Sequence, residues 1–379
     1  SAINLYLCIH YLTFKNVLLT DFCIHRPYPS PKNSLFYYAP LPEPVTQGKQ
    51  GRKMRNNLEV STYKKFLRGM GMQEDTFFLN MDDGASIFVR TWANVETPRG
   101  VLQIAHGMAE HSARYEPFAR ICNEQGFIVV ANDHRGHGQT GEKSGVMGYF
   151  AARDGFERIV DDLYAVHTWT EEKYPGLPVF LMGHSMGSFL ARRYLQKYGD
   201  SIDGAILMGS GGDPGFAVRL GKFVARMQMR KDPTKPSKLL DKMAFGTYNR
   251  NIKDARTKFD WLSRDDYEVQ KYIEDPYCGI VCSSGFFYDL FTGLQTIHDP
   301  ALIHHIPKAI PILVVSGDAD PVGGYGRGVA EFVGQLKKYG ISNIVMKLYP
   351  GARHELLNEI NKAEVVEDIT KWLEERVTP

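Results

Sequence analysis

Cysteine is scarce in this chain, with five residues spread over 379 positions. Because their number is odd and they lie far apart, a fold held together by disulfide bonds is not expected, and a reducing compartment such as the cytoplasm is favoured. Only Cys278 and Cys282 are close in sequence, and neither a second cysteine pair nor a cysteine–histidine pattern accompanies them. We interpret them as small packing residues and expect no metal site.

A charge excess of either sign is also absent, since 45 Lys and Arg face 43 Asp and Glu, a net charge of +2. Nucleic-acid binders usually carry a strong basic excess, so no such partner is expected.

Long apolar runs are missing too, because the segment from Ile3 to Leu19 is interrupted by His10 and Lys15. It favours neither a signal peptide nor a membrane-spanning helix. No phosphate-binding glycine motif follows the first strand, so we expect no cofactor.

Residues 1–71 differ in composition from the rest of the chain. Prolines recur between positions 27 and 44, and a polar, basic stretch follows from Gln47 to Asn57. Segments of this composition bury little apolar surface. We expect an N-terminal extension with little ordered structure over residues 1–71.

From about Thr76 onward, short β-rich or apolar runs alternate with helical patterns, which is typical of an α/β domain. The predicted strands are Thr76–Met81, Ser86–Ala93, Val101–Ala105, Phe127–Ala131, Val179–Met182, Ala205–Met208, Ile312–Val315 and Asn343–Tyr349. Continuous apolar runs indicate strands buried on both faces, as in a parallel sheet. The sequence therefore predicts a mostly parallel eight-stranded sheet flanked by helices. The alternation stops over a helical stretch, which we predict to be a cap insertion at residues 214–299 between core segments 72–213 and 300–379.

The five residues from Gly183 to Gly187 read G-x-S-x-G between the apolar strand and a helical pattern. In that context the serine lies on a strained, tight turn at the carboxyl end of the sheet. The glycines two positions before and after it allow strand and helix to approach closely. The sequence predicts Ser185 as a nucleophile.

A serine nucleophile needs a base, and the base needs an orienting acid. In the α/β-hydrolase fold the chain order is serine, acid, histidine. Asp318 and Asp320 both lie on the turn after one strand; the loop position favours Asp320, with Asp318 as the alternative. His354 follows the last strand and is the only histidine after Asp320. We predict a triad of Ser185, Asp320 and His354.

The negative oxygen that forms during acyl transfer needs backbone N–H donors. One should belong to the residue after the nucleophile, Met186, and one to the loop after the third strand. That loop is the segment His106–Ala109, and we assign Met108 as its donor.

Three segments resemble the monoacylglycerol lipases and related lysophospholipases, a group of serine aminopeptidase-like hydrolases. They are HGMAEHSARY at 106–115, DHRGHGQ at 133–139 and YPGLPVFLMGHSMG at 174–187. The resemblance spans roughly residues 72 to 379. It implies an α/β-hydrolase fold with a helical cap, and cleavage of a monoacylglycerol or lysophospholipid-type ester through an acyl-enzyme.

The resemblance also implies residues that bind the substrate. Glu110 and Arg114 match polar residues under the oxyanion loop, and His184 adjoins the nucleophile. The segment 264–276 resembles a cap motif in which the tyrosine matching Tyr272 lies near the glycerol end of the pocket. Alternatives on the same fold are a short-chain carboxylesterase, a thioesterase, an amidase or a non-catalytic ligand receptor.

The first helix of the predicted cap is amphipathic and basic. Its apolar face carries Phe216, Leu220, Phe223, Val224 and Met227, and the other face carries Arg219, Lys222, Arg226 and Arg230. Such a helix either lies on a membrane surface or packs its apolar side on the domain. The first alternative predicts weak peripheral membrane contact through the cap.

Overall fold

The computed structural model describes residues 74–377, and the predicted extension, residues 1–71, lies outside them. Eight strands of the described region form one sheet in the order β1-β2-β4-β3-β5-β6-β7-β8. The strands are β1 (Glu74–Asn80), β2 (Ser86–Trp92), β3 (Gly100–Ala105), β4 (Phe127–Asn132), β5 (Val179–His184), β6 (Gly204–Met208), β7 (Ile312–Gly317) and β8 (Ile344–Tyr349). Strands β3 to β8 are parallel, whereas β2 is antiparallel to both of its neighbours. The predicted mostly parallel sheet is confirmed.

Helices connect the strands and cover both faces of the sheet. They are α1 (Glu116–Glu124), α2 (Gly138–Ser144), α3 (Gly155–Lys173), α4 (Met186–Tyr198), α5 (Phe216–Met229), α6 (Lys238–Phe245), α7 (Asp266–Glu274), α8 (Ser284–Ile297), α9 (Pro300–Ile303), α10 (Arg327–Lys338) and α11 (Lys362–Val377). Short 3-10 turns span Ser112–Tyr115, Gly199–Ser201, Tyr248–Asn251 and Leu356–Asn358. Within residues 74–377, no helix combines the length and hydropathy needed to cross a membrane.

The apolar strands build two hydrophobic cores, one on each face of the sheet. Successive strand residues point to opposite faces, so Leu181 of β5 joins one core while Phe180 and Met182 join the other. Side chains of α3, α4, α8 and α10 complete the first core, and side chains of α1 and α11 complete the second. This two-sided burial explains why the central strands read as unbroken apolar runs.

The chain between β6 and β7, residues 209–311, carries α5 to α9 and is called the β6–β7 insertion below. Helix α8 anchors it, because Phe286, Phe287 and Leu290 are buried in the first core. The boundaries predicted for core and cap, at 213/214 and 299/300, stay a prediction.

Helix α5 packs on α8 through its small residues and not through its large apolar ones. Its buried residues are Val218, Gly221 and Ala225. The large apolar side chains remain exposed: Phe216 by 76%, Leu220 by 48%, Phe223 by 63% and Met227 by 46%. The alternative in which this apolar side packs on the domain is therefore wrong for these four residues. A close helix contact requires small residues, and those lie on the opposite side.

Candidate active site

Ser185 lies on a sharp turn between β5 and α4. Its backbone angles are φ 53° and ψ −118°, a strained combination for a residue with a side chain. The two flanking glycines make the turn possible. A Cβ on Gly187 would lie 2.0 Å from the Ala105 carbonyl oxygen, and one on Gly183 would lie 2.2 Å from the Gly187 carbonyl oxygen. The G-x-S-x-G spacing therefore reflects the close approach of strand, helix and neighbouring strand.

His354 and Asp320 meet behind this turn, on the loops that follow β8 and β7. Asp320 Oδ2 lies 2.9 Å from His354 Nδ1, and its Oδ1 accepts a hydrogen bond of 2.8 Å from the Val322 N–H. Both side chains are buried. A carboxylate at Nδ1 holds the neutral imidazole with its proton there, which leaves Nε2 free to act as a base. His354 Nε2 has no hydrogen-bond partner within the described residues.

Asp318, the alternative acid, has a different position. It is exposed, and its carboxylate accepts a hydrogen bond of 2.6 Å from the Gly351 N–H. Asp318 thus fastens one turn to another, whereas Asp320 contacts the imidazole.

Ser185 and His354 line one cavity of about 220 Å³. The loop after β3 approaches Ser185 closely, because a Cβ on Gly107 would lie 3.2 Å from Ser185 Cβ. The Met108 N–H of that loop and the Met186 N–H at the start of α4 find no acceptor among residues 74–377. Two such amides beside a serine can bind a negative oxygen, assisted by the dipole of α4.

Glu110 holds this oxyanion loop, residues 106–109, from below. Its carboxylate accepts hydrogen bonds from the Gly107 N–H at 2.6 Å and the Tyr115 hydroxyl at 2.9 Å, and it lies 2.9 Å from His184 Nδ1. Arg114 donates to it at 2.6 Å. Burial opposes ionisation of Glu110, but the charges of Arg114 and His184 hold the pKa of its carboxyl well below the usual value. Glu110 is therefore an anion that fixes the loop.

Sequence reasoning missed Glu355, which completes this network. The two terminal nitrogens of the Arg114 guanidinium, Nη1 and Nη2, each donate a hydrogen bond of 2.7 Å to Glu355. Bidentate pairs of this kind combine charge with a fixed orientation. Because Glu355 follows His354 directly, the pair ties the loop of the predicted base to the oxyanion loop. The adjacent His-Glu letters were the only sequence signal for it.

Tyr272 connects the β6–β7 insertion to the same loop. Its hydroxyl donates to the Ala109 carbonyl at 2.9 Å, and the Gly279 N–H donates to the same oxygen at 2.9 Å. The Arg114 guanidinium lies 4.9 Å from the centre of the Tyr272 ring. Glu110, His184 and Tyr272 all line the cavity, while Arg114 lies behind it. Their predicted role in substrate binding stays a prediction.

The rest of the cavity wall is aromatic and aliphatic, and no sequence motif predicted which residues would form it. Its apolar members are Met108, Phe245, Phe259, Trp261, Leu262 and Ile280. Trp261 packs against the imidazole of His354, with ring centres 5.0 Å apart. Lys242 and Lys258 also line this cavity. The cavity wall therefore combines apolar side chains with polar and charged ones.

Residues 96–361 match the family described as serine aminopeptidase, S33. This match covers well over half of the chain. The chain belongs to this family. Its membership confirms the predicted resemblance and the α/β-hydrolase fold, and it makes the protein a serine hydrolase.

Relatives in the family are similar over most of their length. The chain is 30% identical over 293 residues to a monoacylglycerol lipase of Mycolicibacterium smegmatis, covering 76% of this chain and 93% of that protein. It is 29% identical over 301 residues to human monoglyceride lipase, covering 78% and 88% respectively. These relatives confirm the prediction of a carboxylic ester hydrolase.

Solved structures agree with this assignment. A carboxyl esterase from Bacillus coagulans in complex with glycerol has a TM-score of 0.76 at 30% identity, over 81% of this chain and 100% of that one. A monoglyceride lipase variant from Saccharomyces cerevisiae, bound to a substrate analogue, has a TM-score of 0.64 at 19% identity, covering 80% and 96%. The second similarity extends to the fold alone.

The contact between Glu110 and His184 predicts a pKa that can be measured. Burial disfavours the charged imidazolium, but the hydrogen bond to Glu110 and its negative charge outweigh burial, so the pKa of His184 is raised. A raised folded-state pKa stabilises the protein below the unfolded pKa, and this contribution is lost as pH rises through the folded value. In Glu110→Gln, whose amide carries no charge, the pKa of His184 should fall and this stabilisation should shrink.

Histidine ring titration by NMR, with urea unfolding at several pH values, measures both effects. The matched control is Glu116→Gln, at a half-exposed carboxylate that pairs with Arg120. It should leave the pKa of His184 unchanged. An unchanged pKa in Glu110→Gln would contradict the assignment of the charge network.

Proposed function

We propose that the protein hydrolyses monoacylglycerols or closely related single-chain lipid esters through an acyl-enzyme on Ser185. The observation that carries this proposal is the placement of His354. Asp320 holds its Nδ1 at 2.9 Å, and its ring lines the same cavity as the strained Ser185. A serine nucleophile needs a base of this kind, oriented by a carboxylate and facing the same cavity.

The reaction follows from these positions. Ser185 Oγ attacks the ester carbonyl while its proton passes to His354 Nε2, and Asp320 stabilises the resulting imidazolium. The N–H groups of Met108 and Met186 hold the negative oxygen of the tetrahedral intermediate. His354 then protonates the leaving alcohol and, in the second half of the reaction, activates the water that releases the fatty acid.

The mixed lining of the cavity supports a lipid ester as substrate. An acyl chain gains from contact with Phe245, Trp261 and Ile280, whereas a glycerol group needs hydrogen-bonding partners, such as those at the Glu110 and His184 side. The named activity of the relatives agrees with this division. The second candidate is a lysophospholipid, favoured by Lys242 and Lys258 in the cavity wall, which can pair with a phosphate.

Replacing the two aspartates separately tests the triad. Asp320→Asn should lower kcat by roughly 10⁴-fold, because the amide favours the wrong tautomer of the imidazole. The matched variant Asp318→Asn should keep kcat near the wild-type value, since that side chain only fastens a turn. Steady-state hydrolysis of a monoacylglycerol gives both numbers.

Labelling with a fluorophosphonate probe completes this test. Ser185→Ala should not react with it, while the wild-type protein should react at a single site. Equal loss of activity in the two aspartate variants, or labelling of Ser185→Ala, would contradict the proposed triad.

A series of substrates tests the lipid assignment. For monoacylglycerols of increasing chain length we expect kcat/KM to rise by roughly fourfold per methylene, about 0.8 kcal/mol each, until the apolar wall is covered. A flat or falling series would instead indicate a short-chain carboxylesterase. Thioester and amide analogues of the best chain serve as controls. To test the lysophospholipid candidate, hydrolysis of lysophosphatidate is compared between the wild type and the double variant Lys242→Gln/Lys258→Gln.

We also propose that α5 brings the cavity to a lipid surface and that the β6–β7 insertion acts as a cap. The side chains of Phe216, Leu220, Phe223 and Met227 form an outward stripe on α5, and Leu239 and Met243 of α6 are exposed as well. Arg219, Arg226 and Arg230 flank this stripe and are exposed. Apolar side chains beside basic ones are typical of helices that lie in the interface of anionic membranes.

Flotation with phosphatidylcholine vesicles containing phosphatidylserine tests this contact. The wild-type protein should float with the vesicles, and added salt should weaken the binding. Phe216→Ser/Phe223→Ser should float much less, because two aromatic anchors are lost. The control Ile360→Ser removes an apolar side chain that is 63% exposed outside the insertion and should bind like the wild type. Equal binding by both variants would refute a role for α5.

A further inference from the structure

Three potential metal ligands converge at the junction between the β6–β7 insertion and the oxyanion loop. His111 comes just after that loop, whereas Asp275 and Cys278 follow α7. One ligand atom from each side chain lies within 4.8 Å of the other two, and His111 Nε2 is 2.9 Å from Asp275 Oδ2. His111 and Cys278 are buried, while the Asp275 side chain is 27% exposed and gives access from solvent.

We propose that His111, Asp275 and Cys278 bind a zinc-like divalent cation, with water as the fourth ligand. One nitrogen, one oxygen and one sulfur make a mixed set that suits zinc or cobalt, whereas magnesium and calcium need several oxygens. Tetrahedral coordination at the usual Zn–N, Zn–O and Zn–S lengths places ligand atoms roughly 3.4–3.6 Å apart. The His111–Asp275 pair, at 2.9 Å, is closer than this spacing, and all three ligand atoms lie within 4.8 Å of one another.

The protons balance in a simple way. A neutral His111 has one ring proton, which moves to Nδ1 so that Nε2 can bind the cation. Cys278 binds a cation as the thiolate, so the cation displaces the thiol proton, and one proton leaves for each cation bound. Asp275 enters as the carboxylate, the form in which this side chain binds a divalent cation.

The surrounding charges permit a cation at this place. The positive charge of Arg114 acts on both Cys278 and Asp275. Its charge is already offset by Glu110 at 2.6 Å and by the bidentate contact with Glu355 at 2.7 Å. Binding of a divalent cation with loss of the thiol proton raises the local charge by one unit and brings the set of cation, thiolate and carboxylate to neutrality.

A cation bound at this site would join two segments that are already in contact. The Gly279 N–H, one residue after Cys278, donates to the Ala109 carbonyl, two residues before His111. A metal bridge would reinforce this contact and stabilise the folded protein. The earlier expectation of no metal site rested on the spacing of Cys278 and Cys282. In the structure Cys278 has other partners, and Cys282 is buried in the first core.

Cobalt titration of the full chain tests the proposal without any measurement of activity, so its outcome is independent of the proposed hydrolysis. The background carries Cys8→Ser and Cys23→Ser, because these two cysteines lie outside the described residues. We expect one Co²⁺ per chain and a thiolate-to-cobalt absorption band in the near ultraviolet. Zinc should displace the cobalt and remove the band.

Matched variants locate the ligands. Cys278→Ala should abolish the band, Cys282→Ala should keep it, and His111→Ala or Asp275→Asn should weaken Co²⁺ binding at least about tenfold. Far-ultraviolet circular dichroism verifies that each variant is folded. Absence of the band in the background protein, or its persistence in folded Cys278→Ala, would overturn the proposal.

Discussion

The buried carboxylate of Glu110 is the contact on which the geometry of the active site depends most. It bonds the Gly107 N–H of the oxyanion loop and His184 beside the nucleophile, and it pairs with Arg114. A buried charge of this kind is stable only while its donors remain in place. Arg114 is held in turn by Glu355, which follows His354 in sequence. Three loops that come from distant parts of the chain are thereby fixed relative to one another.

The parts of this protein that local sequence rules govern could be predicted. The turn at Ser185 depends on five consecutive residues, and the steric limits at Gly183 and Gly187 leave few alternatives. The strands followed from unbroken apolar runs, because both faces of the sheet are covered. The choice of Asp320 over Asp318 came from position in a loop, and the structure separates the two clearly: one side chain is buried against an imidazole and the other is exposed.

Contacts between distant segments could not be predicted in the same way. Nothing in the sequence around Trp261 indicates that its ring packs on His354. The paired residues Glu355 and Arg114 are 241 positions apart in sequence. Helix α5 shows another limit. Its sequence pattern identified an apolar side correctly. The close contact with α8 is made by small residues such as Gly221, however, and the large apolar side chains are exposed on the opposite side of the helix. Periodicity reveals that two sides differ, and packing decides which of them is covered.

The carbonyl oxygen of Ala109 shows how far the two regions of this protein depend on each other. Both of its donors, the Tyr272 hydroxyl and the Gly279 N–H, come from the β6–β7 insertion, and Ala109 itself is buried. If an insertion from a relative were grafted onto this core without equivalent donors, that oxygen would lose both of its hydrogen bonds. An unsatisfied buried acceptor destabilises the folded protein by about 1–3 kcal/mol. The β6–β7 insertion and the loop after β3 are thus not separate modules in this chain, and engineering of one must preserve a single acceptor that belongs to the other.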